Sequence, residues 1–483
     1  MKGKKMIVSG LSIGFILLMV IILGCIGLKG PKLLIREPQT PQESSLSYTP
    51  PPIPSFNLEM LGGSADRLLS LIRPRVVQVR ERVYVAIGFD LANVAMIKTD
   101  DGLVIVDSAG SREASARIMK ELRKISNQPV KYLIYTHYHP DHTQGAKEII
   151  SKDTEIIATR AFLYWIDYQN NLLAERHHRA RAIQAGVMAQ EYSFKLPIRN
   201  PFSGIEVNAE VVMPTITFES SYDFTLGGVR FELFATSGET QDHLAIWMPE
   251  ERVLFAGDLY YASFPNLSSP MLESRPVLGW AHSLERFIQL EPEYLVLGHT
   301  EPLKGKDIIK EHLTNYRDAI LYVHNETVRC INEGKSVEQA VAEVKLPERL
   351  AKLPYLQELY GRVDWSVRGI YHGYLGWYDG EGTGLNPLPS SYRARELVEL
   401  AGGADKILAR AIELQKNGEH QLCAELCDLV IEANPKDALA HRIKASSMAY
   451  LAMSAGNLNT FGFYRSAYAM EMKAIQEAIN KGK

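Results

Sequence analysis

Four side chains that can bind a metal ion lie within six consecutive positions of the sequence. They are His137, His139, Asp141 and His142, in the segment 135–145. Imidazoles two residues apart on an extended loop can bind one ion, and the adjacent carboxylate and imidazole can turn toward a second ion. Such a set suits zinc, although iron and manganese also accept it. A solvated histidine-rich loop is the alternative, but this spacing favours a metal site.

The metal-ligand candidates lie on a loop between a predicted strand and a predicted helix. Residues 131–136 are rich in Tyr, Leu and Ile and alternate as a strand does. Residues 143–152 start with a capping residue and continue with apolar residues at helical spacing. Further strands are predicted upstream at 76–79, 83–88, 92–98 and 103–106, with a helix at 114–125. Strand, helix and strand in succession predict an α/β core with some antiparallel hairpins.

Three more ligand-type residues lie at strand ends in a second β-rich half of the sequence. His243 directly precedes a predicted strand, Asp258 follows one, and His299 follows the apolar strand 294–297. Each could be an ordinary loop residue on its own. Because loops that leave strands commonly carry chemistry in α/β folds, their placement together with the first loop favours a shared site. From residue 308 onward, only helical patterns are found.

Length and composition indicate an ordinary globular protein with more than one domain. The chain has 483 residues, of which 46% are hydrophobic and 23% are charged. Two or three domains are expected at this length. A net charge of −3 with both signs interspersed argues against a nucleic-acid partner. The four cysteines are too few for a disulfide-built framework.

The N-terminus has the features of an export signal. Lysines precede an apolar run at 6–28, which is the charge order of such signals. The tetrapeptide Ile-Leu-Gly-Cys ending at Cys25 resembles the lipobox of bacterial lipoproteins, which implies lipidation of Cys25. An uncleaved membrane anchor is the alternative, because the run could span a bilayer; a buried core helix is a third. The first two predict an exported protein, tethered to a membrane in the periplasm or at the outer cell surface.

These patterns divide the chain into four parts. Residues 1–28 are the export segment, and residues 29–56, rich in Pro, Ser, Thr and Gln, form an extended tether. Residues 57–307 form the α/β domain. Residues 308–483 form a separate helical domain, for which packing or dimerisation is the default role.

The whole set of ligand-type residues resembles one known family. The order His-x-His-x-Asp-His, followed by His243, Asp258 and His299, is similar to that of the metallo-β-lactamase superfamily. The resemblance covers about residues 58–304 and implies an αββα sandwich with metals at the sheet edges. The segments Tyr-Leu-Gly-Trp-Tyr-Asp-Gly at 374–380 and Leu-Asn-Pro-Leu-Pro at 385–389 resemble the alkylsulfatase dimerisation domain, which implies a homodimer.

The resemblance implies a ligand scheme and a reaction. We expect His137, His139 and His243 to hold one zinc ion, Asp141, His142 and His299 to hold the second, and Asp258 to bridge both. Alkylsulfatases are zinc enzymes that cleave primary alkyl sulfates such as dodecyl sulfate. A hydroxide shared by two dications would attack the ester, and Asp141 would act catalytically by orienting the water.

The resemblance also implies substrate-binding residues and reveals departures from the family. Arg275 corresponds to a sulfate-binding arginine, although a surface salt bridge is an equal alternative, and Tyr192 corresponds to a sulfate-contacting tyrosine. The alkylsulfatases have a Glu/Glu pair at the positions of His243 and Asp258, and an asparagine at Phe194. We expect no counterpart of their sterol-carrier-like third domain.

Three functions are consistent with the sequence. The first is an exported dinuclear zinc hydrolase of alkyl sulfates or related amphiphilic esters. The second is a hydrolase of another bond on the same fold, such as a lactone, thioester or lactam. The third is an iron-bound redox protein on that fold.

Overall fold

The computed structural model describes residues 46–53, 73–172, 174–194, 210–271 and 275–481. The predicted export segment with Cys25, and much of the predicted tether, lie outside the described residues. Within the described ranges, no helix combines the length and the apolar character needed to cross a membrane.

The first sheet contains seven strands in chain order. The four N-terminal strands form an antiparallel meander, and β4 to β7 run parallel to one another. The strands are β1 (Arg75–Arg80), β2 (Val83–Ile87), β3 (Val94–Lys98), β4 (Leu103–Val106), β5 (Val130–Ile134), β6 (Glu155–Thr159) and β7 (Ile216–Phe218).

The second sheet contains six strands. Strands β8 to β11 are antiparallel neighbours, β11 pairs in parallel with β12, and β13 closes the edge. The strands are β8 (Ser221–Leu226), β9 (Val229–Ala235), β10 (Leu244–Met248), β11 (Val253–Phe255), β12 (Tyr294–Val296) and β13 (Leu303–Lys304).

The helices of the described residues lie between and after the strands. The described residues include α1 (Arg112–Leu122), α2 (Pro140–Thr143), α3 (Arg160–Asp167), α4 (Ala174–Gln184), α5 (Val277–Leu290), α6 (Lys306–Asn332), α7 (Val337–Glu343), α8 (Glu348–Ala351), α9 (Val363–Leu375), α10 (Gly382–Leu385), α11 (Ser390–Leu400), α12 (Ala404–Lys416), α13 (His420–Ala433), α14 (Ala438–Met453) and α15 (Leu458–Lys481).

The two sheets pack face to face and are covered by helices on their outer sides. Strand residues two apart point to the same face, so Val104 and Val106 join Phe231 and Ile246 in the core between the sheets. The intervening residues of the first sheet pack outward against α1 and α3. The outer face of the second sheet packs against α5 and α6, with Trp280 fully buried. The predicted αββα sandwich is confirmed.

The C-terminal region is helical, as predicted. Helices α12 to α14 enclose their own core, in which Leu408, Cys423, Cys427 and Ile443 are buried. Helix α6 begins at the predicted domain boundary but packs on the sandwich. An apolar arm, defined here as residues 374–400, exposes many large hydrophobic side chains: Tyr374, Leu375, Trp377, Tyr378, Leu385, Leu388, Leu397 and Leu400.

The sequence pattern from 164 to 189 is typical of a single helix, but the structure divides this segment. Helix α3 ends at Asp167, a π-helical turn follows at Tyr168–Leu172, and α4 ends at Gln184. Such turns carry one extra residue per turn and often occur at functional sites. The uninterrupted helical periodicity of the sequence did not indicate this break.

Candidate metal centre

The first ligand loop leaves the end of β5 and turns immediately into the short helix α2. Pro140 occupies the first position of α2, where its lack of an N–H group costs no hydrogen bond. The His142 carbonyl accepts a hydrogen bond of 2.8 Å from the backbone N–H of Ser108. This short turn brings Asp141 and His142 back toward His137.

Asp107 fixes the orientation of His142. Its Oδ2 lies 2.8 Å from His142 Nδ1, while its Oδ1 accepts a 2.8 Å bond from the backbone N–H of Thr136. Since the carboxylate accepts the Nδ1 proton, Nε2 of His142 is left as the metal-binding nitrogen. Asp107 directly follows the predicted strand 103–106, and its role in orienting His142 was missed by the sequence reasoning.

Two further imidazoles are oriented in the same way. His137 Nδ1 lies 3.0 Å from Thr136 Oγ1, and His299 Nδ1 lies 2.9 Å from the carbonyl oxygen of Leu91. In both rings the Nδ1 atom is engaged by the protein. Nε2 is therefore the atom that faces the centre.

Four ligand atoms lie at separations that suit one tetrahedral ion. Asp141 Oδ2 lies 3.5 Å from both His142 Nε2 and His299 Nε2. Asp258 Oδ2 lies 3.4 Å from His142 Nε2 and 3.0 Å from His299 Nε2. Ligand atoms placed ~2.0–2.1 Å from a tetrahedral zinc ion are ~3.3 Å apart. The predicted second metal group is thus brought together.

A second group of ligand atoms lies beside the first. His137 Nε2 lies 2.9 Å from His139 Nδ1 and 3.6 Å from Asp258 Oδ2. Ligand atoms of His139, Glu239 and Asp258 lie within 4.8 Å of one another. Because Asp258 borders both groups, it has the position that a bridging carboxylate needs.

Glu239 was missed by the sequence reasoning, and it lies where His243 was expected. Both ring nitrogens of His243 have protein partners: Nδ1 lies 3.0 Å from Thr236 Oγ1, and Nε2 accepts a 3.1 Å bond from the backbone N–H of Asp258. His243 stacks on His137 with ring centroids 5.0 Å apart. Ligation by His243 stays a prediction, whereas Glu239 offers an oxygen atom without rearrangement.

The buried polar atoms of the site fit a metal. His142 Nε2, Glu239 Oε2 and Asp258 Oδ1 are buried and have no hydrogen-bond partner among the described residues. Burying such atoms without partners is costly. Bound cations would satisfy all three, and the mixed nitrogen and carboxylate set suits zinc.

Carboxylates surround two imidazoles of the site and favour their protonated forms in the absence of a metal ion. Burial opposes a charge on His142, but Asp258, Asp107 and Asp141 outweigh burial and raise its pKa well above the usual range. The same balance raises the pKa of His299 to about 9. Protons on these imidazoles therefore neutralise the nearby carboxylates. A dication that binds would displace the protons and neutralise the carboxylates in their place.

Arg275 lies in the centre rather than on the surface. Its Nη1 lies 2.9 Å from Glu239 Oε1, and both side chains are almost entirely buried. Burial raises the pKa of Glu239 to about 7, although Arg275 opposes that shift. The alternative of a surface salt bridge for Arg275 therefore does not describe its position.

The helical region contributes Tyr360 to the same centre. The Tyr360 and Tyr261 rings have centroids 5.6 Å apart. Burial raises the Tyr360 pKa, and the negative charge of Glu239 raises it further, whereas Arg275 lowers it. No sequence signal placed Tyr360 near the metal ligands, because it lies beyond the predicted α/β domain.

The position of Tyr192 is defined by its contacts with the C-terminal helix. It belongs to a 3-10 turn, Gln190–Tyr192, that packs against α15. Its role in contacting a sulfate stays a prediction.

Paired His and carboxylate groups at one edge of an αββα sandwich define a protein of the metallo-β-lactamase superfamily. A model of that superfamily matches residues 87–299, and a model of the alkyl sulfatase dimerisation domain matches residues 336–474. Superfamily membership implies divalent metal binding. A linear primary-alkylsulfatase from Pseudomonas sp. is 34% identical over 401 residues, which cover 79% of this chain and 74% of the relative. The chain therefore belongs to the alkylsulfatase family of this superfamily.

Other relatives agree in fold and class. The alkyl/aryl-sulfatase BDS1 of Saccharomyces cerevisiae is 27% identical, with 84% of this chain and 64% of the relative covered. The solved structure of the inverting sec-alkylsulfatase Pisa1 from Pseudomonas sp. superposes with a TM-score of 0.77 at 25% identity, covering 83% of this chain and 66% of that one. The chain thus spans slightly less than two thirds of the length of these two proteins.

Proposed function

We propose that this protein hydrolyses alkyl sulfate esters with two zinc ions bound per chain. The observation that carries the proposal is the buried guanidinium of Arg275, held 2.9 Å from a carboxylate of the ligand cluster. A fixed, desolvated cation beside a metal centre suits an anionic sulfate head group. The names of the alkylsulfatase relatives support the same substrate class.

The ligand scheme of the proposal follows the contacts of the side chains. His137, His139 and Glu239 would hold one ion, Asp141, His142 and His299 would hold the other, and Asp258 would lie between them. Zinc in such a site supplies a water of lowered pKa and polarises the ester. Burial opposes ionisation of Asp141, but His142 and His299 outweigh it and lower its pKa to about 2, so Asp141 stays ionised and can orient the attacking water.

The remaining residues bind the substrate. A guanidinium has five N–H donors, so the contact of Arg275 with Glu239 leaves donors for the sulfate oxygens. Tyr360, whose ring contacts Tyr261, would donate a hydrogen bond from its hydroxyl to the ester. Since most of the ligand side chains are buried, bulk water is largely excluded, which strengthens these electrostatic interactions.

The decisive experiment counts metals and assays a panel of esters on one preparation. We expect zinc near two per chain and turnover of dodecyl sulfate. Arg275→Lys should keep its zinc and raise KM roughly 10–100-fold, because a lysine cannot reproduce the bidentate geometry. Zinc-loaded protein that leaves dodecyl sulfate intact but opens a lactone or thioester would replace the sulfatase proposal with the second function.

A homodimer and a membrane tether complete the proposal. The apolar arm lies within the region that matches the alkyl sulfatase dimerisation domain, and exposed apolar surface of this extent is typical of interfaces. Export and lipidation at Cys25 are supported by the N-terminal sequence pattern alone.

A further inference from the structure

Helix α15 contacts two segments that flank the metal centre. Its first turn is bonded to the loop 358–361, where the Leu458 N–H donates to the Leu359 carbonyl at 2.8 Å. Its middle packs against α4 and the following turn. The helix therefore connects parts of the protein that are far apart in sequence.

The loop 358–361, called here the Tyr360 wall, contacts residues beside the ligand cluster. The Tyr360 N–H donates a 2.9 Å bond to Ser263 Oγ, in the segment that follows Asp258. The Tyr360 ring lies 5.6 Å from the Tyr261 ring, and the Tyr261 ring lies 6.4 Å from the ring of the ligand His299, measured between ring centroids. A shift of this loop would therefore move the Tyr360 hydroxyl relative to the ligand cluster.

Helix α4, called here the Arg181 wall, is linked by a series of contacts to the first ligand loop. Arg181, on α4, donates to Gln169 Oε1 in the π-helical turn. Near that turn, Trp165 stacks on Tyr138 with centroids 5.7 Å apart, and Tyr138 meets the His139 ring at 4.9 Å. Helix α4 is thus coupled to the first ligand loop.

A single buried side chain binds both walls. Asn459 Nδ2 donates to the Tyr360 carbonyl at 2.9 Å, and its Oδ1 accepts a 2.9 Å bond from Gln184 Nε2 at the end of α4. Asn459 is completely buried. Neither bond can be exchanged for water without opening the interface.

Neighbouring contacts along α15 fix the same geometry. Ser466 Oγ donates to the Ile183 carbonyl at 2.8 Å, and Arg465 donates to the carbonyls of Gly186 and Phe194. A side chain at Gly462 would overlap the Gln184 carbonyl. Close backbone approach and buried directional bonds leave little freedom for α4 to move on α15.

We propose that Asn459 is a positioning residue for substrate binding, which sets the separation between the Tyr360 wall and the Arg181 wall. The helical region then has a role in the site of its own chain, in addition to dimerisation. For the identity of the substrate, the proposal rests on the proposed sulfatase function.

The test compares two variants with matched controls on zinc-loaded full-length protein. Asn459→Leu removes both bonds, and Asn480→Leu makes the same change at an exposed site of α15. Gln184→Leu removes only the α4 bond, and Gln476→Leu is its exposed counterpart on α15. Dodecyl sulfate kinetics, zinc content and hydrogen exchange of 181–194 and 358–361 are measured for all four.

Asn459→Leu should raise KM roughly tenfold and leave kcat within about twofold, with unchanged zinc content and faster exchange in both segments. Gln184→Leu should speed exchange in 181–194 alone. An unchanged KM, or a KM and kcat that shift together with global destabilisation, would overturn the proposal.

If the wild type does not cleave dodecyl sulfate, the sulfatase proposal fails separately. Exchange in the two segments and the affinity for inorganic sulfate then decide the positioning role. Should Asn459→Leu not fold, Gln184→Leu against Gln476→Leu decides it in the same way.

Discussion

Substitution of Glu239 and of His243 by glutamine should affect zinc binding very differently. Glu239→Gln removes a negative charge whose Oε2 is buried without a partner among the described residues. Breaking a buried charge interaction from one side costs about 3–5 kcal/mol, so zinc affinity at one site should fall roughly 10²–10⁴-fold. His243→Gln keeps an acceptor for the backbone N–H of Asp258, which lies 3.1 Å from Nε2. Its cost should be about one hydrogen bond, or roughly tenfold or less.

The two variants are compared by chelator competition and by elemental analysis of dialysed protein. The pair controls for general disturbance of the loop 238–243, since both substitutions introduce the same side chain. Retention of two zinc ions by Glu239→Gln, together with loss of one ion by His243→Gln, would refute the structural assignment and restore the scheme drawn from the sequence.

Three further outcomes are expected. Asp107→Asn should weaken zinc binding 10–100-fold, because asparagine has a single acceptor oxygen and cannot accept hydrogen bonds from both the Thr136 N–H and His142 Nδ1. The buried pair of His441 and Glu471, with Nδ1 and Oε2 2.5 Å apart, raises the histidine pKa and lowers the carboxyl pKa. The pair should therefore stabilise the fold fully between about pH 4.5 and 6.5, and less as the pH rises through the raised histidine pKa. In urea unfolding, His441→Asn should lower the free energy of unfolding by about 1–2 kcal/mol at pH 6 and by less at pH 9. Trp377→Glu, at a side chain that is 72% exposed, should convert a dimer to monomers in sedimentation without changing zinc content.

Each outcome has a clear contrary result. Unchanged zinc affinity after Asp107→Asn would mean that the carboxylate does not support the ligand. Equal destabilisation of His441→Asn at both pH values would assign the pair a packing role only. A dimer that survives Trp377→Glu would place the interface outside the apolar arm.

Much of the fold could be predicted because the hydrophobic pattern and the first ligand loop are local signals. The continuous apolar run Leu103–Val106 and the spacing from His137 to His142 are readable in a few residues. The sequence could not show that Glu239 is the ligand of this loop, because the loop contains both the Glu239 carboxylate and the His243 imidazole. Contacts such as the hydrogen bond from the Asp258 N–H to His243 Nε2 distinguish them, and this bond joins residues 15 apart.

The contribution of the helical region was unpredictable for a related reason. Tyr360 is linked to the centre through contacts with Tyr261 and Ser263. The periodicity of the sequence around residue 360 does not reveal such long-range contacts. Arg275 was indicated by resemblance, and its burial against Glu239 could only be seen once the chain was folded.

The contacts of α15 also bear on the order in which the site forms during synthesis. The metal ligands lie between residues 137 and 299, whereas Gln184 and Asn459 are 275 positions apart and Gly186 and Arg465 are 279 apart. Because chains emerge from the ribosome N-terminus first, the ligand cluster can close while the last helix is still unmade. We expect zinc to be captured before the substrate-binding side is complete, so a nascent chain would hold metal before it could select an ester.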